Sequence, residues 1–185
     1  ELGARSTVNA DYFLTTLFPS NQLHIMDYNR VIKDLNGLKS TDLIKKLEEK
    51  FSVEKKENAY RPEAIHHFGL YIKDQWYKLT SRPGTYADDP IGILDISILQ
   101  KNILEPLLGI MDQRTDKRID FVGGIRGLEE LEKRVDSGEM ELAISLYPVS
   151  IEQLFNVADS GDVMPPKSTW FEPKLRDGLL THLID

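Results

Sequence analysis

Residues 119–159 read IDFVGGIRGLEELEKRVDSGEMELAISLYPVSIEQLFNVAD. Ile119–Val122 is a short apolar run bounded by glycines, which reads as a strand. Gly123-Gly124-Ile125-Arg126-Gly127 then breaks the chain. A helix is expected over Leu128–Val135, stopping near Ser137-Gly138, followed by a strand over Glu141–Leu146. Ser150 with Gln153 three residues on is a capping box, opening a helix with Ile151, Leu154, Phe155 and Ala158 turned inward. This β-α-β-α run sets the class: α+β, a mixed sheet with helices, including a β-α-β-α segment near residues 119–159. The crossover between 119 and 146 is the kind of connection that parallel strands need.

Outward from that stretch the signals are shorter. Asp11–Phe18 is apolar and aromatic and reads as a buried strand or short helix, stopped by Pro19. Gln22–Lys33 alternates as a strand, and Asn36-Gly37 is a turn. Ser40 is the expected cap of a helix over Thr41–Phe51, with Leu43, Leu47 and Phe51 on one face. Lys55–Pro62 reads as a loop. His67–Lys73 and Trp76–Thr80 form a hairpin around Asp74-Gln75, with Phe68, Leu70 and Ile72 sharing a face. Ser81–Pro90 is an exposed loop, Asp95 caps a helix from Ile96 to about Glu105 before Pro106, and Arg114–Arg118 is a charged turn. Met164–Asp185 is expected to be extended, with a turn at Asp177-Gly178.

The chain has 185 residues, 41% of them hydrophobic and 29% charged, which suits a globular fold and argues against disorder. It is read as one domain over residues 1–185. Leu2–Thr7 reads as the tail of something upstream, so the domain is expected to be the carboxy-terminal part of a longer protein. There is no cysteine, so disulfides, thiolate metal sites and a cysteine nucleophile are excluded. No apolar run approaches the ~20 residues of a membrane helix, so no membrane partner is expected, and a cytoplasmic setting is the default. The net charge is −7, and residues 121–185 carry 6 basic against 12 acidic groups. Acidic surfaces repel phosphate backbones, so no nucleic-acid partner is expected.

Two motifs have the chemistry of an anion site. In the GGIRG turn, Gly123 and Gly124 free backbone N–H groups ahead of a helix start, and Arg126 adds a charged fork. The turn lacks the GxGxxG and P-loop patterns, and a tight strand-to-helix turn explains its glycines equally. In Met164–Phe171, MPPKSTWF, two prolines stiffen the lead-in to Lys167, Ser168 and Thr169, which present an ammonium and two hydroxyls. The alternative is a proline-bounded edge strand. His66-His67 would point to opposite faces of a strand and so do not make a metal pair. Asp88-Asp89 has the chemistry of a magnesium site and equally that of solvated loop acids.

Four blocks, Leu17–Gly37, Ile93–Ile110, Ile119–Gly127 and Met164–Leu180, in this order resemble the carboxy-terminal half of domain-of-unknown-function family one thousand and fifteen. The PPKST block is the most distinctive of them. The resemblance implies an amino-terminal half, not contained in this sequence, with a ParB/sulfiredoxin-like fold. It also implies similarity to kinases that phosphorylate free serine, in serine metabolism. On that basis the intact protein is expected to be a phosphotransferase using ATP, ADP or pyrophosphate with Mg²⁺. Its partners would be its own amino-terminal domain and serine or phosphoserine, with a homo-oligomer left open. By position and chemistry, Gly123, Gly124, Arg126, Lys167, Ser168 and Thr169 are assigned to phosphate or substrate binding. The catalytic residues are expected in the other half, and this part alone is expected to be inactive. The alternative is a non-catalytic binding or dimerisation module of a ParB-like protein.

Overall fold

The structure is a computed structural model that describes residues 11–174, 176 and 178–183. The Leu2–Thr7 stretch and Asp177 of the expected second turn lie outside the described residues. The chain divides into two units, one of residues 1–24 and 171–185, the other of Ile25–Trp170. In the first, residues 12–19 have no regular secondary structure, and Phe13 and Leu17 are 84% and 88% exposed. The expected buried element at Asp11–Phe18 is therefore absent. Thr15 and Thr16 interrupt the apolar run, so it sustains neither a strand nor a helix period.

The second unit is built on a six-stranded sheet. Its strands are β2 (Tyr28–Ile32), β3 (Phe51–Lys56), β4 (His67–Ile72), β5 (Gln75–Ser81), β6 (Ile119–Gly123) and β7 (Leu142–Leu146). Their spatial order is β3-β5-β4-β7-β2-β6. Two short strands, β1 (His24–Met26) and β8 (Trp170–Glu172), pair as a separate ribbon. The helices are α1 (Ser40–Leu47), α2 (Asp95–Leu99), α3 (Glu129–Asp136) and α4 (Ile151–Asp159). The fold is α+β, as expected. Each hydrogen-bonded neighbour in the six-stranded sheet is antiparallel. The β6-α3-β7 crossover is present, yet β6 and β7 are parallel only at one remove, because β2 lies between them and runs opposite to both.

Both faces of the sheet are covered. Ile32, Phe68, Leu70, Ile72, Leu142 and Ile144 form one core with residues of α1, α2 and α4. Val31, Tyr71, Trp76 and Ala143 form a second with Leu131 of α3. That is why residues 68–72 are all buried, although alternation alone describes a strand with one wet face. The β4–β5 hairpin closes through Lys73 (φ 48°) and Asp74 (φ 59°), the left-handed pair of a two-residue turn. At Gly69 a Cβ would stand 2.2 Å from Ser145 Oγ and 2.5 Å from the Tyr60 carbonyl, which locks the loop before β4 onto the sheet.

Three local expectations shift. Lys39, not Ser40, is the N-cap of α1, and the helix stops at Leu47 because Phe51 already opens β3. Lys55 belongs to that strand rather than to a loop. The capping box at Ser150 and Gln153 forms with both its bonds, but α4 buries Val157, while Phe155 and Ala158 face solvent. Asp95 is the first residue of α2, and its carboxylate accepts the His66 N–H at 2.8 Å instead of capping the helix. Among the described residues no helix is long and apolar enough to cross a membrane.

Candidate functional site

The GGIRG turn follows β6 as a short 3-10 turn at Gly124–Arg126, with Gly127 at φ 72°. Its first two glycines are small because protein groups press on them. A Cβ on Gly123 would stand 2.8 Å from the Trp170 indole, and one on Gly124 would stand 2.1 Å from Asp27 Oδ1. The Gly124 N–H donates to the Asp27 carbonyl at 2.8 Å. It is therefore engaged, contrary to the expectation of a free donor there. The buried Asp27 carboxylate is held by Asn29 Nδ2 at 2.6 Å and Arg61 at 3.1 Å. Arg126 stays exposed and reaches Glu130 at 3.9 Å. A buried carboxylate at the turn and Glu129, Glu130 and Glu132 on the following helix oppose an anion at this place.

The PPKST segment packs against the same edge of the sheet. Ser168 is buried and its hydroxyl donates to the Pro165 carbonyl, closing a turn in which Lys167 takes φ 60°. Lys167 Nζ lies 5.5 Å from the Phe121 ring, and Trp170 packs edge-on to Tyr28 at 5.2 Å. Thr169 is half-buried. The structure thus brings Gly123 and Lys167 to the same corner of the sheet, through Trp170 and Phe121, while Arg126 turns to its own helix.

What joins them is a residue that sequence reasoning missed. Arg30, on β2, is fully buried. Its guanidinium lies 5.3 Å from the Phe121 ring and 5.7 Å from Tyr28. Nη2 donates to the Lys167 carbonyl at 2.7 Å, Nη1 to the Tyr28 carbonyl, and Nε to Gln113 Oε1 at 3.2 Å. These three acceptors are neutral. Burial draws the group down to about 9, still above neutrality, so a cation sits inside the fold. The sequence signal was an arginine inside a strand otherwise bound for the core, YNRVI.

Next to this cluster is a cleft of about 490 Å³. Pro165, Pro166, Met111 and Ile96 give it apolar walls, and Gln100, Lys101, Gln113 and Arg114 give it polar groups. Gln113 Nε2 donates to Gln100 Oε1 at 2.9 Å. Arg114 is clamped by Asp112 at 2.8 Å, whereas Lys101 is exposed and has no ion-pair partner among the described residues. Helix α2 continues into a π-helical turn over Gln100–Leu104, and the first two residues of that wider turn line the cleft.

No three His, Asp or Glu side chains converge as a cation's ligand set among the described residues. Asp89, one of the two acids read from the sequence, caps the N–H groups of Ile91 and Gly92 at 3.0 and 2.7 Å. These residues do not fit a magnesium site.

Asp95, at the start of α2, carries a pH dependence. Burial raises its pKa from 3.8 to about 7, against the smaller opposite pull of the His66 N–H. The folded chain keeps a proton that the unfolded chain loses near pH 4, so stability falls as pH rises from about 4 to 7. At one pKa unit per 1.36 kcal/mol, the loss by pH 8 is about 4 kcal/mol. Asp95→Asn keeps the acceptor for His66 and removes the charge. Urea denaturation should show the variant more stable than the parent at pH 8, with the difference shrinking toward zero by about pH 3.5. An unchanged difference between the two pH values would show that Asp95 is not the source.

The chain belongs to the family described as protein of unknown function, DUF1015, which matches residues 2–97. None of the curated proteins matches it. Among solved structures it is similar in fold to three that share little sequence with it. A conserved hypothetical protein from Pyrococcus furiosus is 18% identical, with 81% of this chain and 56% of that one covered and a TM-score of 0.50. A variant of free serine kinase in complex with AMP is 15% identical, with 82% and 55% covered and a TM-score of 0.50. Free serine kinase in complex with AMP is 13% identical, with the same coverage and TM-score. The chain spans about 55% of the length of these structures.

Proposed function

We propose that residues 25–170 form the substrate-binding part of a phosphotransferase related to free serine kinase. The cleft beside Pro165-Pro166 would take a phosphate-bearing small molecule. The observation that carries this reading is the cleft itself. Flat apolar walls suit a base or a side chain, and the exposed Lys101 at its edge suits a phosphate. The fold shared with AMP-bound proteins supports the same class of ligand. In phosphoryl transfer a protein mainly positions groups and neutralises charge. Lys101 and Lys167 would supply charge, and Ser168 and Thr169 would hold the stiff segment that presents Lys167. Gly123 would seat Trp170. Serine would be the acceptor and ATP, ADP or pyrophosphate the donor, with Mg²⁺ brought by the donor.

The test uses the full-length protein with serine, Mg²⁺ and each donor in turn, followed by phosphorus NMR. Phosphoserine should appear with one donor. Lys101→Gln should lower the rate about tenfold, as loss of a charge-assisted contact does, without moving the melting temperature. Silence with all three donors from folded protein would overturn the reading. The second reading, a non-catalytic docking module, is favoured by the exposed aromatic and aliphatic side chains of residues 12–18.

A further inference from the structure

The cleft floor holds a hydrogen-bond chain that runs in one direction. Arg30 Nε donates to Gln113 Oε1 at 3.2 Å, and Gln113 Nε2 donates to Gln100 Oε1 at 2.9 Å. Gln100 Nε2 then donates to the carbonyls of Ile110 at 2.8 Å and Met111 at 3.3 Å. A side-chain amide can face its neighbours either way round, and alone each glutamine would be free to flip. Here both ends are fixed. A guanidinium only donates, so Gln113 must turn its oxygen to Arg30. Backbone carbonyls only accept, so Gln100 must turn its nitrogen to Ile110. The two constraints agree, and one link in the middle satisfies both.

We propose that Arg30 is a positioning residue for the cleft: it fixes the orientation of the Gln113 amide, so that its N–H meets the oxygen that the Ile110 and Met111 carbonyls leave Gln100 to present, and through the Lys167 carbonyl it fixes the proline wall. The proposal rests on the reading of the cleft as the ligand site. Gln113 keeps one N–H, and Gln100 keeps one oxygen lone pair, beyond the bonds of the chain. The floor therefore offers a donor and an acceptor side by side. That pattern fits a ligand with an adjacent acceptor and donor, such as the edge of a nucleobase or an amide, whose anionic end lies toward Lys101. Several features explain why an arginine stands where a leucine would pack. Only a fork reaches Gln113, Tyr28 and Lys167 at once, and only a pure donor sets the direction. Lysine at this position would keep the charge and lose the fork.

The test is isotope-edited NMR of the full chain, reading the side-chain NH₂ groups of Gln100 and Gln113. In the parent both pairs should be well dispersed and slow to exchange with water. Arg30→Lys should bring the Gln113 pair toward solvent-like exchange rates, at least tenfold faster, while the Gln100 pair stays slow, held by the Ile110 and Met111 carbonyls. Gln113→Glu, which is isosteric and still accepts from Arg30, has no N–H for Gln100. It should leave the Gln100 pair slow and remove only the floor donor, and its AMP affinity covers the case in which Arg30→Lys does not fold. AMP titrated into each protein should bind at least tenfold more weakly to both variants than to the parent. Unchanged Gln113 exchange in Arg30→Lys, or unchanged AMP affinity in Gln113→Glu where the parent binds AMP, would overturn the positioning role. If the exchange rates change as stated but the parent binds neither AMP, phosphoserine nor pyrophosphate, the positioning role holds and the reading of the cleft as a phosphate-ligand site falls.

Discussion

Arg30→Ala should destabilise the protein by about 3 kcal/mol and open the Lys167–Ser168 bond to trypsin. Truncating a large buried side chain leaves a cavity that costs about 2–5 kcal/mol. It also orphans the Lys167 carbonyl and the Gln113 amide, at about 1–3 kcal/mol for each buried group left unpaired. Against this, the fold no longer has to bury a cation without a carboxylate partner. The net is smaller than the sum, and a second variant separates the parts. Arg30→Met fills the same space without charge, so it should recover most of the cavity loss while leaving the carbonyl unheld. Urea denaturation measures the first effect. Limited proteolysis measures the second, because trypsin cuts after Lys167 and the carbonyl it attacks is the one Arg30 holds. Cleavage at this bond should rise in both variants, about tenfold or more. A stable Arg30→Met protein that resists trypsin there would show that the aromatic packing of Lys167 and Trp170 suffices without the guanidinium.

Gly124→Ala should cost about 3 kcal/mol, at the upper end of what overpacking usually costs. The new methyl would stand 2.1 Å from Asp27 Oδ1 and 2.5 Å from its Cγ. Asp27 cannot swing away freely, because Asn29 and Arg61 hold its carboxylate and its own carbonyl accepts the Gly124 N–H. The double variant Gly124→Ala with Asp27→Ala should therefore be less destabilised than the two single losses added together, by more than about 1 kcal/mol, because the clash is shared. Thermal melts of the four proteins complete the cycle. If instead the glycine serves an anion, Gly124→Ala would melt with the parent and lose only phosphate affinity.

The parts of this fold that could be read in the sequence are those whose signal is local. The β4–β5 hairpin follows from a period of two on either side of Asp74, and the capping box at Ser150 forms with both its bonds. Strand β3 was missed because it is an edge strand. Glu54, Lys55 and Lys56 in its second half look like a loop, and charges of this kind are what edge strands carry against aggregation. The run at Asp11–Phe18 misled in the opposite sense, since apolarity without a period names no face. At the candidate site, GGIRG and PPKST are visible as motifs because glycine and proline are rare and clustered. Arg30 is not. Two of its three partners stand 83 and 137 positions away, and the third is a backbone carbonyl, so no side chain near it in the chain marks it as different from a solvent-facing arginine.

The position of β2 between β6 and β7 bears on how the protein is made. In a chain growing from the ribosome, Tyr28–Ile32 emerges well before the strands on its two sides, Ile119–Gly123 and Leu142–Leu146. The β3, β4 and β5 ladder can zip first from neighbours close in the chain, while β2 waits with both its edges open. Arg30 waits with it, hydrated, and loses water only when the slot closes around it. The slot is thus the latest-formed part of the sheet, and the cleft can acquire its shape only once synthesis has passed the proline segment.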